Sequence, residues 1–115
     1  MSDCIFCKIA QKEIPSQTVY EDDKVLAFRD LEPQAPTHVL IIPKRHIANV
    51  AALGEADKEL AAHIMCDVVP KLAKDLGVAA KGFRLVANTG AEGGQTVNHL
   101  HFHLLGGRSM QWPPG

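Results

Sequence analysis

The chain has 115 residues, 46% apolar and 22% charged, the balance expected of a single soluble globular domain with a modest core. Twelve basic and thirteen acidic side chains leave a net charge of −1, which excludes a general electrostatic pull toward nucleic acid. No run approaches the ~20 apolar residues of a membrane span, no basic-then-apolar leader opens the chain, and the three cysteines suit a reducing, cytoplasmic setting.

Cys4-Ile5-Phe6-Cys7-Lys8-Ile9-Ala10 places apolar residues at 5, 6 and 9, which predicts a short helix stopped by Ile14-Pro15. Val19 to Phe28 reads as strand, acidic turn and strand, a hairpin. After the proline-bounded loop from Asp30 to Pro36, Thr37-His38-Val39-Leu40-Ile41-Ile42-Pro43 is a strongly apolar central strand. Lys44-Arg45 reads as ordinary solvated charge.

One long helix is expected from Glu55 to Leu76, with Leu60, Ile64, Met65, Val68, Val69 and Leu72 on its inner side. Cys66 reads as a buried small hydrophobe and His63 as solvated. Pro70 lacks a donor and clashes with the preceding turn, so a kink is expected there; Gly77 ends the helix. Phe83 to Asn88 is the fourth strand, with Gly90, Gly93 and Gly94 in the loop after it. Asn98 to Leu105 is the fifth, and Pro113-Pro114 keep the tail extended. The order βββαββ predicts an α+β domain: a five-stranded antiparallel meander sheet with one long helix and a short N-terminal helix.

The fifth strand carries the chemistry. In His99-Leu100-His101-Phe102-His103-Leu104 the side chains alternate, so three histidines line one face at roughly 6 to 7 Å intervals while Leu100, Phe102 and Leu104 line the other. A lone histidine in a strand is usually a satisfied core or surface residue. Three in one alternating run call for a nucleophile, a proton donor or a metal ligand near neutral pH. Cys4-x-x-Cys7 by itself fits either a redox pair or two buried thiols. Trp112 in an open tail marks a contact, since an exposed large aromatic usually does.

The run His99 to Leu105 resembles the signature of the histidine triad family of nucleotidyl hydrolases and transferases. So do Phe6 with Lys8-Ile9, Glu13-Ile14-Pro15, Ala27-Phe28-Arg29-Asp30, Ala35-Pro36-Thr37-His38, Gly93-Gly94-Gln95 and the ending Trp112-Pro113-Pro114-Gly115. The ending and the Gly-Gly-Gln stretch are similar to the family's nucleotide-binding branch of purine nucleoside phosphoramidases. The resemblance covers residues 1–115 as one domain and implies a nucleotide-binding hydrolase of purine nucleoside 5′-phosphoramidates. His101 would attack the α-phosphorus, with no metal required for that step, and His103 and His38 would support it. Asn88, Gly94, Gln95, Thr96 and Val97 would bind the phosphoryl oxygens, and Asp30 the ribose hydroxyls. Phe6, Ile9, Phe28 and Leu31, with Ile5, would form an apolar slot for the base, or plain core.

The resemblance also implies a structural zinc held by Cys4, Cys7, His46 and His99, AMP and adenosine phosphoramidates as ligands, and a homodimer. The tail from 106 to 115 and the long helix would then form the interface, and Trp112 on the tail would reach the substrate site of the partner subunit. Three other readings stay open: a metallohydrolase with a catalytic zinc on the triad, a dinucleoside polyphosphate hydrolase or nucleotidyl transferase of the same family, and a non-enzymatic nucleotide-binding scaffold.

Overall fold

The computed structural model describes residues 3–115. Five strands, β1 (Thr18–Glu21), β2 (Val25–Arg29), β3 (Thr37–Pro43), β4 (Phe83–Val86) and β5 (Phe102–Gly106), form one antiparallel sheet in the order β1-β2-β3-β5-β4. The architecture is α+β as expected. The meander runs through β1, β2 and β3; after the helix the chain enters at the far edge, and β5 closes the gap between β3 and β4. Asp22 makes the first turn, its Oδ1 accepting from the backbone N–H of Lys24 and Val25, each at 2.8 Å.

Both faces of β2 and β3 are buried, and the pleat sorts their residues. Val25, Ala27, Val39 and Ile41 face one way, packing with Ile64, Val68, Leu72 and Ala73 of the long helix and with Leu100, Phe102 and Leu104. Leu26, Phe28, Leu40 and Ile42 face the other way, packing with Phe6, Ile9 and Ala10 of the short helix α1 (Ile5–Ala10). Each buried Leu, Ile or Phe is worth about 1.5 to 3 kcal/mol. Exposed ion pairs such as Lys58–Glu55 and Lys71–Asp75 are worth less than about 1 kcal/mol each. The two apolar layers therefore fix where the helices sit.

The long helix is continuous but not uniform. It opens as a 3-10 turn (Glu55–Asp57), continues as α2 (Lys58–Ala62), widens into a π-helical turn (His63–Val68) and closes as α3 (Val69–Asp75). Pro70 is the second residue of α3, where a missing N–H matters least, and the π turn just before it absorbs the conflict expected as a kink. The wider turn also shifts the helix face. Met65 is exposed rather than on the inner side, and Cys66 is exposed rather than buried, so both expectations are corrected. Among the described residues no helix is long and apolar enough to cross a membrane.

Candidate active site

On the α1 face of the sheet, β3 contributes His38 and β5 contributes His103, two positions apart in register, since His38 pairs with Leu105 and His103 with Leu40. The other two triad histidines are not in the strand. β5 begins at Phe102 because the preceding segment bonds elsewhere: Leu100 N–H donates to the Ile47 carbonyl at 2.6 Å, and the His99 ring meets the Pro43 carbonyl at 2.9 Å. The expected strand from 98 is thus shorter. Alternation survives, with Leu100, Phe102 and Leu104 still in the helix-side core.

A backbone carbonyl only accepts and a backbone N–H only donates, so fixed partners assign the ring protons. The His101 Nδ1–H donates to the His99 carbonyl at 2.7 Å, which leaves the lone pair on Nε2. The Gln34 N–H donates to His38 Nδ1 at 3.0 Å, so the His38 proton sits on Nε2. That Nε2–H lies 2.9 Å from His103 Nδ1 and 3.4 Å from Asp30 Oδ2. His103 Nδ1 is then an acceptor, and its remaining N–H is on Nε2. One nucleophilic nitrogen and one donor result, with the His101 and His103 ring centres 5.0 Å apart.

Burial disfavours the charged form of His38 and His103. It pushes His38 below its usual value, with Asp30 opposing. Burial, then the neighbouring His101 and His38, pushes His103 down to about 4. His101 and His103 line a cleft of about 550 Å³, within the range of small-molecule sites. Ile5, Phe6 and Ile9 form one wall, Phe28, Asp30 and Leu31 the other, and Thr96 and Val97 the rim. Phe6 stands edge-on to His101 with ring centres 5.0 Å apart.

Asn88, Gly94 and Gln95 are not part of that lining. The Gln95 amide instead ties the loop together: Nε2 donates to the carbonyls of Ala48 (2.8 Å) and Val97 (3.0 Å), and Oε1 accepts from Gly90 N–H (2.9 Å). Gly93 lies so near Thr89 that an added Cβ would fall 2.4 Å from its carbonyl oxygen. Trp112 is 81% exposed and does not line the cleft of its own chain. Gln34 was not foreseen, nor were Pro15, Ser16 and Gln17 on the cleft wall. Gln34 acts through its main chain, which leaves no mark in residue type.

The four residues expected to hold zinc converge. One donor atom each from Cys4, Cys7, His46 and His99 lies within 4.8 Å of every other. Cys4 Sγ and Cys7 Sγ are 3.2 and 3.5 Å from His99 Nδ1, and Cys7 Sγ is 3.3 Å from His46 Nδ1. Tetrahedral zinc bonds of about 2.3 Å to sulfur and 2.0 to 2.1 Å to nitrogen require donors roughly 3.5 Å apart, so the set fits the ion. The tautomer fits too, because the Pro43 carbonyl takes the His99 Nε2–H and leaves Nδ1 free to ligate. Burial, followed by Cys4 at close range, pushes the Cys7 thiol up, a cost that a bound cation would reverse.

A family model described as the HIT domain matches residues 11–110. An uncharacterized HIT-like protein of Synechococcus elongatus is 53% identical over 113 residues, covering 98% of this chain and 97% of its own. A 14 kDa zinc-binding protein of Zea mays is 52% identical over 116 residues, covering 99% of this chain and 89% of its own. Among solved structures, a HIT family hydrolase from Legionella pneumophila superposes with a TM-score of 0.95 at 56% identity, covering 98% of this chain and 100% of that one. Matched in sequence and in fold along nearly its whole length, the chain belongs to the HIT domain family.

Proposed function

We infer that the protein is a nucleotide hydrolase that cleaves the phosphorus–nitrogen bond of purine nucleoside 5′-phosphoramidates, working in the reducing cytoplasm. The observation that carries this reading is the His101 ring. Its Nδ1–H is bonded to the His99 carbonyl, which leaves the lone pair on Nε2, and the ring centre of His103 lies 5.0 Å away. The hydrolase named for the Legionella relative supports the reaction class.

In the first step His101 Nε2 forms a bond to the α-phosphorus and the phosphorus–nitrogen bond breaks, leaving a nucleotidyl-imidazolium. The departing amine needs a proton. Binding of an anionic phosphate beside His103 raises its affinity for a proton, which Nδ1 takes up as the His38 Nε2–H turns to Asp30, and the proton already on His103 Nε2 passes to the amine. In the second step water attacks phosphorus, the bond to His101 breaks, and His103 takes the proton back. Thr96 and the Val97 backbone border the phosphoryl oxygens, while Asn88, Gly94 and Gln95 shape the loop behind them. Asp30 accepts from the ribose hydroxyls, and Phe6, Ile9, Phe28 and Leu31 flank the purine. Cys4, Cys7, His46 and His99 hold a structural zinc that ties α1 to the segment before β5, and two copies associate as a homodimer.

The test is mass spectrometry of a quenched reaction with an adenosine phosphoramidate, which should find an AMP adduct on His101. His101→Ala should lose turnover by on the order of 10³-fold or more while still binding AMP. Retained turnover in that variant would remove the nucleophile.

A further inference from the structure

The tail reaches back to the catalytic histidines through one loop. Arg108 Nε donates to the Gln34 carbonyl at 3.0 Å. The N–H of the same residue, Gln34, donates to His38 Nδ1 at 3.0 Å, and His38 Nε2 lies 2.9 Å from His103 Nδ1. Gly107, just before Arg108, packs so closely on this loop that an added Cβ would fall 2.9 Å from Pro36 Cβ, and its φ of +90° suits glycine alone. Arg108 Nη1 also donates to the Ser109 carbonyl at 3.1 Å, which holds the guanidinium in place.

We propose that Arg108 is a positioning residue: by holding the Gln34 peptide it sets the His38 tautomer, and through His38 it fixes the donor nitrogen of His103. The Gln34 carbonyl lies in the peptide unit leading to Ala35 and the Gln34 N–H in the unit that follows Pro33, and the two meet at the Gln34 Cα. With the Pro33 ring fixing φ on one side and the Pro36 ring packed against Gly107 on the other, pinning the carbonyl restricts how far the N–H can turn from His38. Without that N–H, His38 Nδ1 becomes free to carry the proton. His38 Nε2 would then accept from His103 Nδ1–H, and the His103 Nε2–H that serves the leaving group would be gone. The two neutral arrangements differ in which end of the pair holds the protons. Asp30 Oδ2, 3.4 Å from His38 Nε2, favours the same arrangement from the other side, and the Gln34 N–H at 3.0 Å is the closer of the two fixed groups that decide between them.

The inference rests on the reading of His103 as proton donor, but its test does not need turnover. Long-range proton–nitrogen NMR correlation on full-length protein labelled with 15N-histidine reads each ring's tautomer. His38 should be protonated on Nε2 in the wild type, and Arg108→Ala should populate the Nδ1–H form. kcat for an adenosine phosphoramidate should fall about tenfold, with the AMP Kd changed by less than about twofold. Arg108→Lys, which can still donate to the carbonyl, should recover most of both signals. A wild-type tautomer pattern in Arg108→Ala overturns the proposal, as does a kcat loss matched by a lowered melting temperature without tautomer change. A wild type with the expected tautomers and no hydrolysis would overturn the proposed function and leave this proposal standing.

Discussion

His63 bridges two elements that are far apart in the chain. Its Nε2 lies 2.7 Å from Asp22 in the β1–β2 turn and its Nδ1 lies 2.9 Å from Asp67 on the helix, so the expected solvated histidine is an ion-paired strut. Hydrogen bonds to Asp22 and then Asp67 raise its pKa. Burial raises Asp22, but bonds from Tyr20, His63 and two backbone amides outweigh it and bring the carboxyl to about 2. The His63 contribution is therefore complete below its unfolded value of about 6.5 and is lost as pH rises through the raised folded value. Asp22 contributes above 3.8 and fails only as pH falls toward 2. His38, His99 and His103 have lowered pKa values and act oppositely, since unfolding lets them take up protons below about 6.5. Only a difference between variants isolates His63. The gap in melting temperature between wild type and His63→Ala should be largest near pH 5 and shrink by pH 9; a gap that widens with pH would refute the pairing. No residue pattern marks this strut, because the hairpin turn meets the helix only once the sheet has formed. Arg45 is a similar case, read as solvated charge but bonded to the buried Asp57 at the head of the helix.

α1 is six residues long, too short to hold itself together by its backbone bonds. Its anchors are the apolar contacts of Phe6, Ile9 and Ala10 and the Cys4–Cys7 pair at its head, where Cys7 N–H donates to Cys4 Sγ at 3.3 Å. Since α1 supplies one wall of the cleft, a zinc held by Cys4, Cys7, His46 and His99 would act on substrate only through the position of that helix. Protein purified without chelator should contain zinc by elemental analysis. Cys4→Ser with Cys7→Ser should lower the melting temperature by several degrees and raise KM more than it lowers kcat. A kcat loss as large as that of His101→Ala would instead place the metal in the chemistry and favour a metallohydrolase. At this scale β3 was legible to the residue, because the apolar run Val39 to Ile42, set with Thr37 and His38 between two prolines, leaves little choice. β5 was legible in its alternation but not in its start, because the bonds that draw His99 and Leu100 out of the ladder go to Pro43 and Ile47, about fifty residues earlier. Pro70 signalled a break without saying which kind, since a kink and a π turn both relieve a missing donor.

Short turns made the neighbours of β1, β2 and β3 readable, whereas a crossing helix does not say at which edge the next strand lands. It lands at the outer edge, and that leaves a problem for a lone chain. Among the described residues nothing pairs with the open side of β4, Phe83 on it is 38% exposed, and the tail beside it, held by Arg84 Nη2 donating to the Gln111 carbonyl at 2.9 Å, leads to the exposed Trp112. An open strand edge next to exposed aromatics invites another chain. A second copy covering that edge with its own tail would bury both aromatics and satisfy the strand. Light scattering in solution should accordingly give about twice the 12.5 kDa chain mass at micromolar concentration. Removing residues 112 to 115 should weaken the dimer and raise KM severalfold with little change in the fold of each chain, because Trp112 is 81% exposed and outside the core. A monomer of unaltered activity would show that neither the edge nor the tail contributes to the site.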